Sequence, residues 1–306
     1  MSKKVLVMMG GFSSEREVSL VSGRGVVEAL KEKGYEVVPH DLKDIPEFIR
    51  VLQKEKPDVV FNALHGNWGE DGEIQGFLDM LQVPYTHSGM RASAIGMDKS
   101  ITKKVCLAHG IKVPFGEKTT YREFKENGTM ITMPYVLKPV SDGSSVGVFI
   151  IKSEEDLKNV HYDNDDDQIL IEKFIDGREL TCAVLDGKAL AVTELRAKVE
   201  FYNYEAKYTN GVTEHILPAP IPDDVAATCM RYAERLHQKL GCNTVSRCDF
   251  RYNPDDGVVL LEINTAPGLT SLSLVPEQAK FRGISYAELC AKLVENAACR
   301  KLPKIL

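Results

Sequence analysis

The chain has 306 residues, 43% apolar and 27% charged, with 23 Gly and 14 Pro; this is about twice the usual size of one domain and excludes a mini-scaffold, a disordered chain and a collagen. Lys and Arg number 38 against 44 Asp and Glu, a net charge of −6, so no global positive field exists for nucleic acid or an anionic membrane, and an anionic ligand must be caught locally. No window approaches the roughly 18 unbroken apolar residues of a membrane span, and Cys106, Cys182, Cys229, Cys242, Cys248, Cys290 and Cys299 include no Cys-x-x-Cys pair, which points away from a disulfide framework or zinc site and toward a reducing cytoplasm.

Residues 5–9 predict a buried first strand. Lys3-Lys4 imitates the start of a signal peptide, but the apolar stretch is short and runs into Ser13-Ser14-Glu15-Arg16-Glu17 with no small-residue cleavage site. A helix over 15–33, stopped by Gly34, precedes strands at 35–38 and 59–62, with apolar Phe48, Ile49 and Leu52 between them. This βαβ punctuation predicts a small parallel sheet with helices on its faces, whose ligands gather at the strand carboxyl ends. Gly10-Gly11 lacks the G-x-G-x-x-G spacing, and Glu15 stands where a pyrophosphate would meet the helix. A carboxylate there suits a substrate ammonium or, equally, stabilises the first helical turn. His65-Gly66-Asn67-Trp68-Gly69-Glu70-Asp71-Gly72 follows the strand at 59–62, which makes His65 either a binding-loop residue or a packed histidine.

Met97-Asp98-Lys99 opens a helix ending near Gly110, after which strands crowd together at 135–138, 146–151 and 169–173; a domain boundary falls near 97. Ser153-Glu154-Glu155-Asp156 predicts a helix start. In the acidic run that follows, Asp163, Asp165 and Asp167 suit alternate calcium ligands, but Gln168 replaces the required Gly and Phe174 the bidentate Glu, so a solvated loop is expected. Gly143-Ser144-Ser145-Val146-Gly147 is formally G-x-S-x-G. A nucleophile elbow on Ser145 needs a helix after it, whereas a β-branched run follows; the other readings are a plain hairpin loop and, preferred, a phosphate loop with Lys138 as a point charge.

Strands at 179–185 and 189–196 join through Asp186-Gly187, a hairpin signal. A polar stretch covers 200–215. Val225, Cys229, Ala233, Leu236 and Leu240 then mark one face of a helix capped by Asp223 or Asp224. Another hairpin turns at Asn253-Pro254-Asp255-Asp256-Gly257. Side-chain alternation puts Arg247 and Asp249 on one face, as it does Glu262 and Asn264; a register opposing Asp249 and Glu262 would set them about 5 Å apart. Two carboxylates and an amide oxygen are hard ligands for Mg²⁺ with bound phosphate, and Arg247 is a fork for an oxyanion. A merely structural cluster is less attractive, because unneutralised carboxylates repel. The turn at 265–273 offers backbone N–H near Gly268 for an oxyanion hole, or is an ordinary turn.

Together GGFSSEREVSL, ALHGNWGEDGEIQG, MDKS, VLKPVSDGSSVGV, ILIEKFIDGREL, YNYEAKY, SRCDF and LEINTAPGLTSLSLVP resemble, in order and nearly end to end, the ATP-grasp superfamily and more closely its D-alanine:D-alanine ligase family. The resemblance implies an α/β, three-domain ATP-grasp architecture: an N-terminal parallel-sheet domain (1–97) and two α+β domains (98–178 and 179–306) that clamp ATP. It further implies that Lys99 and Lys138 contact the ATP phosphates, that Glu172, Lys173, Phe174 and Ile175 line the adenine pocket with Glu179 on the ribose, and that Lys207 approaches the nucleotide. Asp249, Glu262 and Asn264 would hold two Mg²⁺ ions, for which Mn²⁺ substitutes. Glu15 would meet the ammonium of the first D-alanine, with His65 nearby and with Ser144 and Tyr208 linked to it; Arg247 and the Gly268 N–H would hold the tetrahedral oxyanion, and Ser273 with Leu274 the carboxylate of the second D-alanine. A homodimer through the N-terminal domain is implied as well. Asp142 stands where many relatives have Glu, and Phe174 is at a variable position; Tyr208 goes with dipeptide rather than ester formation. Another ATP-grasp carboxylate–amine or carboxylate–hydroxyl ligase is the alternative, and a non-catalytic nucleotide-binding module is disfavoured because every proposed metal ligand and Arg247 are present.

Overall fold

A computed structural model describes residues 2–141, 143, 146–197, 213–270 and 272–302. Ser144, Lys207 and Tyr208, together with Asp142 and Ser145, lie outside the described residues.

The first sheet is parallel, with β1 (Lys4–Gly10) between β2 (Glu36–Leu42) and β3 (Val59–Asn62). Residues 5–9 are buried without a break because both faces of β1 are covered. Val5 and Val7 join one core and Leu6 and Met8 another, as strand alternation requires. Helices α1 (Arg16–Glu32) and α2 (Ile45–Glu55) are those expected; Asp44 caps α2 by accepting from the Glu47 N–H at 2.6 Å. Helices α3 (Glu73–Leu81) and α4 (Met90–Met97) were not anticipated. Both are short and carry an internal glycine, which blurs the helical signal. At Gly96 of α4 an added Cβ would lie 2.7 Å from the Thr265 methyl, so the small residue is demanded by helix-to-turn packing.

Helix α5 (Lys99–Ala108) starts at Asp98, whose carboxylate accepts from the Ile101 N–H at 2.9 Å. It leads into an antiparallel sheet ordered β4 (Gly116–Thr120), β7 (Gln168–Lys173), β5 (Tyr135–Pro139), β6 (Phe149–Ile151), with α6 (Tyr121–Asn127) and α7 (Glu154–Leu157). The strand expected over 146–151 begins only at Phe149, since Gly147 turns at φ 67° and its carbonyl accepts from the Tyr162 hydroxyl at 2.7 Å. Residues 143–147 therefore stand between two strands, β5 and β6, which is not the strand-to-helix context of a nucleophile elbow. Asp166 is exposed and Asp165 half-buried, and both pair with Arg122, in keeping with a solvated loop.

The largest sheet is antiparallel: β10 (Thr213–Ile216), β9 (Lys188–Ala197), β8 (Arg178–Leu185), β11 (Val245–Asn253), β12 (Gly257–Asn264). Asp186 and Gly187 turn the β8–β9 hairpin at φ 50° and 76°, the positive values of a tight two-residue turn. Helix α8 (Asp223–Leu240) buries Val225, Cys229, Ala233, Leu236 and Leu240 as its period predicts. Its cap position is Pro222; Asp223 and Asp224 occupy the first turn instead, where they favour the helix dipole. Helix α9 (Leu274–Phe281) packs on β8 and β9, and α10 (Tyr286–Glu295) packs on α1 and β3 of the first unit; Val275, Leu289 and Leu293 share one core with Val5, Val7 and Phe61. All seven cysteines are free. No described helix is long and apolar enough to cross a membrane.

Candidate active site

Three parts of the chain meet around one cleft, and every described residue that the resemblance assigns to nucleotide, metal or substrate lines it. The amino-terminal edge is built by loops at the carboxyl ends of β1 and β3. Ser13 Oγ donates to the His65 carbonyl at 2.6 Å, and Ser19 Oγ donates to Ala63 O at 2.7 Å, lacing the α1 start to the β3 loop. Glu15 occupies the N-cap of α1 without a side-chain cap bond; the residue is 7% exposed and lines the cleft. Gly66 makes this possible: it adopts φ 70°, and a Cβ there would stand 2.8 Å from Glu15 Oε2.

His65 is held through both ring nitrogens, Nε2 3.0 Å from Ser22 Oγ and Nδ1 3.2 Å from Glu70 Oε1. Burial pushes the Glu70 carboxyl above its ordinary range, with Glu15 adding repulsion, while His65 and Arg247 oppose the rise. Glu70 lies within the loop motif quoted above, yet no role was read from it. Its carboxylate at the cleft edge became visible only once the loop folded back on itself.

The opposite edge is set by strand register. Asp249 pairs directly with Glu262, and Arg247 with Asn264, across β11 and β12, with a bulge just after Asp249. Asp249 accepts from Thr181 Oγ1 at 2.6 Å and from Arg247 Nε and a terminal guanidinium nitrogen at 3.0 and 2.8 Å. Lys99 Nζ lies 3.6 Å from Glu262 Oε2. These cations offset two carboxylates that face one another, and the donor set of two carboxylates and an amide oxygen suits a hard divalent ion. Among the described residues no group of three or more His, Cys, Asp or Glu could hold a metal; the pair is completed here by Asn264, whose Oδ1 also accepts from the Ala266 N–H at 2.9 Å.

The wall between the edges carries a buried charge cluster. Glu172 is 2% exposed, with Lys103 Nζ 2.5 Å from Oε1 and Lys138 Nζ 2.7 Å from Oε2. Burial opposes its charge, but Lys138 and Lys103 outweigh burial and hold the carboxyl below its usual range. Burial, aided by repulsion from Lys138 and resisted by Glu172, draws Lys103 down to about 8. Sequence reading passed over Lys103, although it lies four residues after Lys99 on the same helix face, which was the available signal. Lys173 pairs with Asp256 at 3.3 Å, and Glu179 with Arg251 at 2.9 Å. Apolar Val136, Val148, Ile150, Phe174, Ile175, Leu195 and Leu261 supply the rest of the wall. At the third side Gly268 stands close to His65, and the Thr270 N–H donates to Ser273 Oγ at 2.9 Å just before α9.

Two antiparallel sheets closing on a half-apolar cleft with lysines along it and paired carboxylates at one end, beside a parallel-sheet unit, define the ATP-grasp class of ligases. Residues 112–295 match the family described as D-ala D-ala ligase C-terminus, and residues 4–56 and 42–88 match D-ala D-ala ligase N-terminus. The chain is 52% identical over 304 residues to the D-alanine–D-alanine ligase of Zymomonas mobilis, covering 96% of this chain and 94% of that one. It is 50% identical over 302 residues to that of Sphingopyxis alaskensis, covering 96% and 97%. Solved structures similar to it include the D-alanine–D-alanine ligase of Bacillus anthracis complexed with ATP (33% identity, TM-score 0.81, 97% of each chain). Another is the VanG D-Ala:D-Ser ligase of Enterococcus faecalis (28% identity, TM-score 0.81, 96% of this chain and 99% of that one). The chain belongs to the D-alanine–D-alanine ligase family.

Proposed function

We propose that this protein joins two molecules of D-alanine, with ATP as co-substrate, to make D-alanyl-D-alanine for peptidoglycan precursors in the cytoplasm. The observation that carries the reading is the direct opposition of Asp249 and Glu262, flanked by Arg247 and Asn264, at one end of the cleft that also holds Lys99 and Lys138. Asp249, Glu262 and Asn264 would hold two Mg²⁺ ions, for which Mn²⁺ substitutes; bound there, such ions neutralise phosphate charge during phosphoryl transfer.

In this reading Glu15, with His65 beside it, receives the ammonium of the first D-alanine, whose carboxylate oxygen attacks the γ-phosphorus. Lys99 and Lys138 balance phosphate charge, and Lys207 approaches the same nucleotide. Glu172, Lys173, Phe174 and Ile175 line the adenine pocket, with Glu179 on the ribose. A carboxylate is a poor electrophile; the acylphosphate formed from it is a good one. Ser273 and the Leu274 N–H take the carboxylate of the second D-alanine, whose neutral amine attacks, and Arg247 with the Gly268 N–H holds the oxyanion as phosphate leaves. Ser144 and Tyr208 link to Glu15 and close the loops, excluding water that would hydrolyse the acylphosphate. The work is divided among units 1–97, 98–178 and 179–306, and two copies associate through the first, where Trp68, Met80 and Leu81 are exposed.

Oxygen transfer tests the path. With ¹⁸O in the D-alanine carboxylate, the phosphate released carries one labelled oxygen per peptide bond formed. Unlabelled phosphate accompanying labelled dipeptide rejects the acylphosphate route. Because the fold is shared with a D-Ala:D-Ser ligase, D-serine and D-lactate belong in the same assay as competing acceptors; a predominance of either product rejects D-alanine as the second substrate.

A further inference from the structure

Lys103 lies buried behind the cleft wall rather than in it, while Lys138 and Glu172 face the cleft. One buried carboxylate thus has two buried lysines, one per oxygen, at 2.5 and 2.7 Å. The Lys103 ammonium also donates to the Leu261 carbonyl, 3.4 Å away and one residue before Glu262. Charge counting shows what the second lysine changes. Glu172 and Lys138 alone make a neutral pair, in which the ammonium facing the cleft is taken up by its carboxylate, and an incoming anion has to compete with that carboxylate. Adding Lys103 leaves the cluster with one net positive charge. Since Lys103 itself is shielded from the cleft, that charge is presented through Lys138.

We infer that Lys103 is a positioning residue for nucleotide binding: it neutralises Glu172 from behind the wall, so that Lys138 offers its charge to the phosphates of the triphosphate. The inference rests on the reading of the cleft as a nucleotide site. It gives α5 a double task. Lys99, at its first turn, lines the cleft beside Glu262, and Lys103, one turn later, tunes a lysine on β5 through a carboxylate on β7.

The test is a double-mutant cycle read by calorimetry of a non-hydrolysable ATP analogue, with adenosine as the phosphate-free control. Lys103→Met should weaken analogue binding by about tenfold or more, the scale of losing one balancing charge in a partly buried site, and change adenosine binding less than threefold. Lys103→Arg, which keeps the charge, should recover most of the loss. On a Glu172→Gln background the sign should reverse: with the carboxylate gone, two buried lysines repel, and Lys103→Met should leave analogue binding equal or tighter. Equal weakening on both backgrounds, or an equal loss for adenosine, assigns Lys103 to packing alone and overturns the inference. Wild-type protein that binds no analogue at all overturns the nucleotide reading itself, and the inference with it.

Discussion

The two edges of the cleft hold their carboxylates by different means. On one, Asp249 and Glu262 are placed by the register of adjacent strands, so each is fixed by a ladder of backbone bonds and by its neighbour across the sheet. On the other, Glu15, His65 and Glu70 ride on loops and are fixed by a close glycine and a chain of side-chain bonds running from Ser22 through His65 to Glu70. The first arrangement brings like charges together and keeps them so with cations; the second aims single groups at a substrate. A register site should therefore tolerate an isosteric change in fold but not in chemistry, whereas a loop site should be lost through geometry.

The sharpest break of this contrast is Glu262→Gln, which keeps shape and one acceptor oxygen but removes charge. D-alanine-dependent ADP release should fall by about a thousandfold or more, with circular dichroism and thermal midpoint close to wild type. Near-normal turnover at limiting Mg²⁺ would sink the assignment of the metal ligands.

Gly66→Ala tests the loop edge by steric means alone. The added methyl meets Glu15 Oε2 and Ser13 and strains a backbone at φ 70°, so kcat/KM for D-alanine should drop roughly 10- to 100-fold and stability by about 1–3 kcal/mol. If denaturant titration shows the strain but the kinetics stay unchanged, Glu15 is not held by this contact.

Glu70→Gln is milder, since it keeps an acceptor for His65 while removing the charge. KM for D-alanine should rise about tenfold and KM for ATP should stay within twofold. A rise in the ATP constant instead would place the His65 chain at the wrong end of the cleft.

The effect that is smallest at neutral pH concerns stability, since it develops only as the pH falls. His87 is buried against Phe61 with Nδ1 3.0 Å from Thr86 Oγ1, and burial lowers it to about 3. Between about pH 6.5 and pH 3 the unfolded chain binds a proton at this residue that the folded chain refuses, so stability falls as pH drops through that window, by up to about 1.4 kcal/mol per pH unit. His87 also has φ 70°, which Asn tolerates. His87→Asn should flatten the acid limb of a stability-against-pH curve by up to one proton; an unaltered slope shows that other groups set the acid limit.

Local pattern made much of this molecule legible. Continuous burial of residues 5–9, the four- and three-residue steps from Val225 to Leu240 and the Asp186-Gly187 turn need only short-range sterics and periodicity. Even the opposition of Asp249 and Glu262 was accessible, because a short turn between two runs limits the register of a hairpin. Helices α3, α4, α9 and α10 were not: they are 8 to 10 residues long, short enough that packing rather than propensity holds them, whereas α5, of similar length, was legible through the Asp98 cap at its start.

What tertiary structure alone decided is the set of partners separated widely along the chain. Lys103, Glu172 and Lys138 sit on a helix and two strands, and none of the three segments by itself says that one carboxylate will be shared by two lysines. Glu70 acquires its raised carboxyl only through burial, where the loop after β3 folds back beside Glu15 at the start of α1. The return of α10 to α1 and β3 of the first unit, and the docking of α9 on β8 and β9, were equally invisible, because an apolar helix face specifies that something must bury it, not which sheet. Periodicity and turn chemistry act over a few residues and are written in the sequence; charge balance and burial depend on what lies across the core, and only the folded chain supplies that.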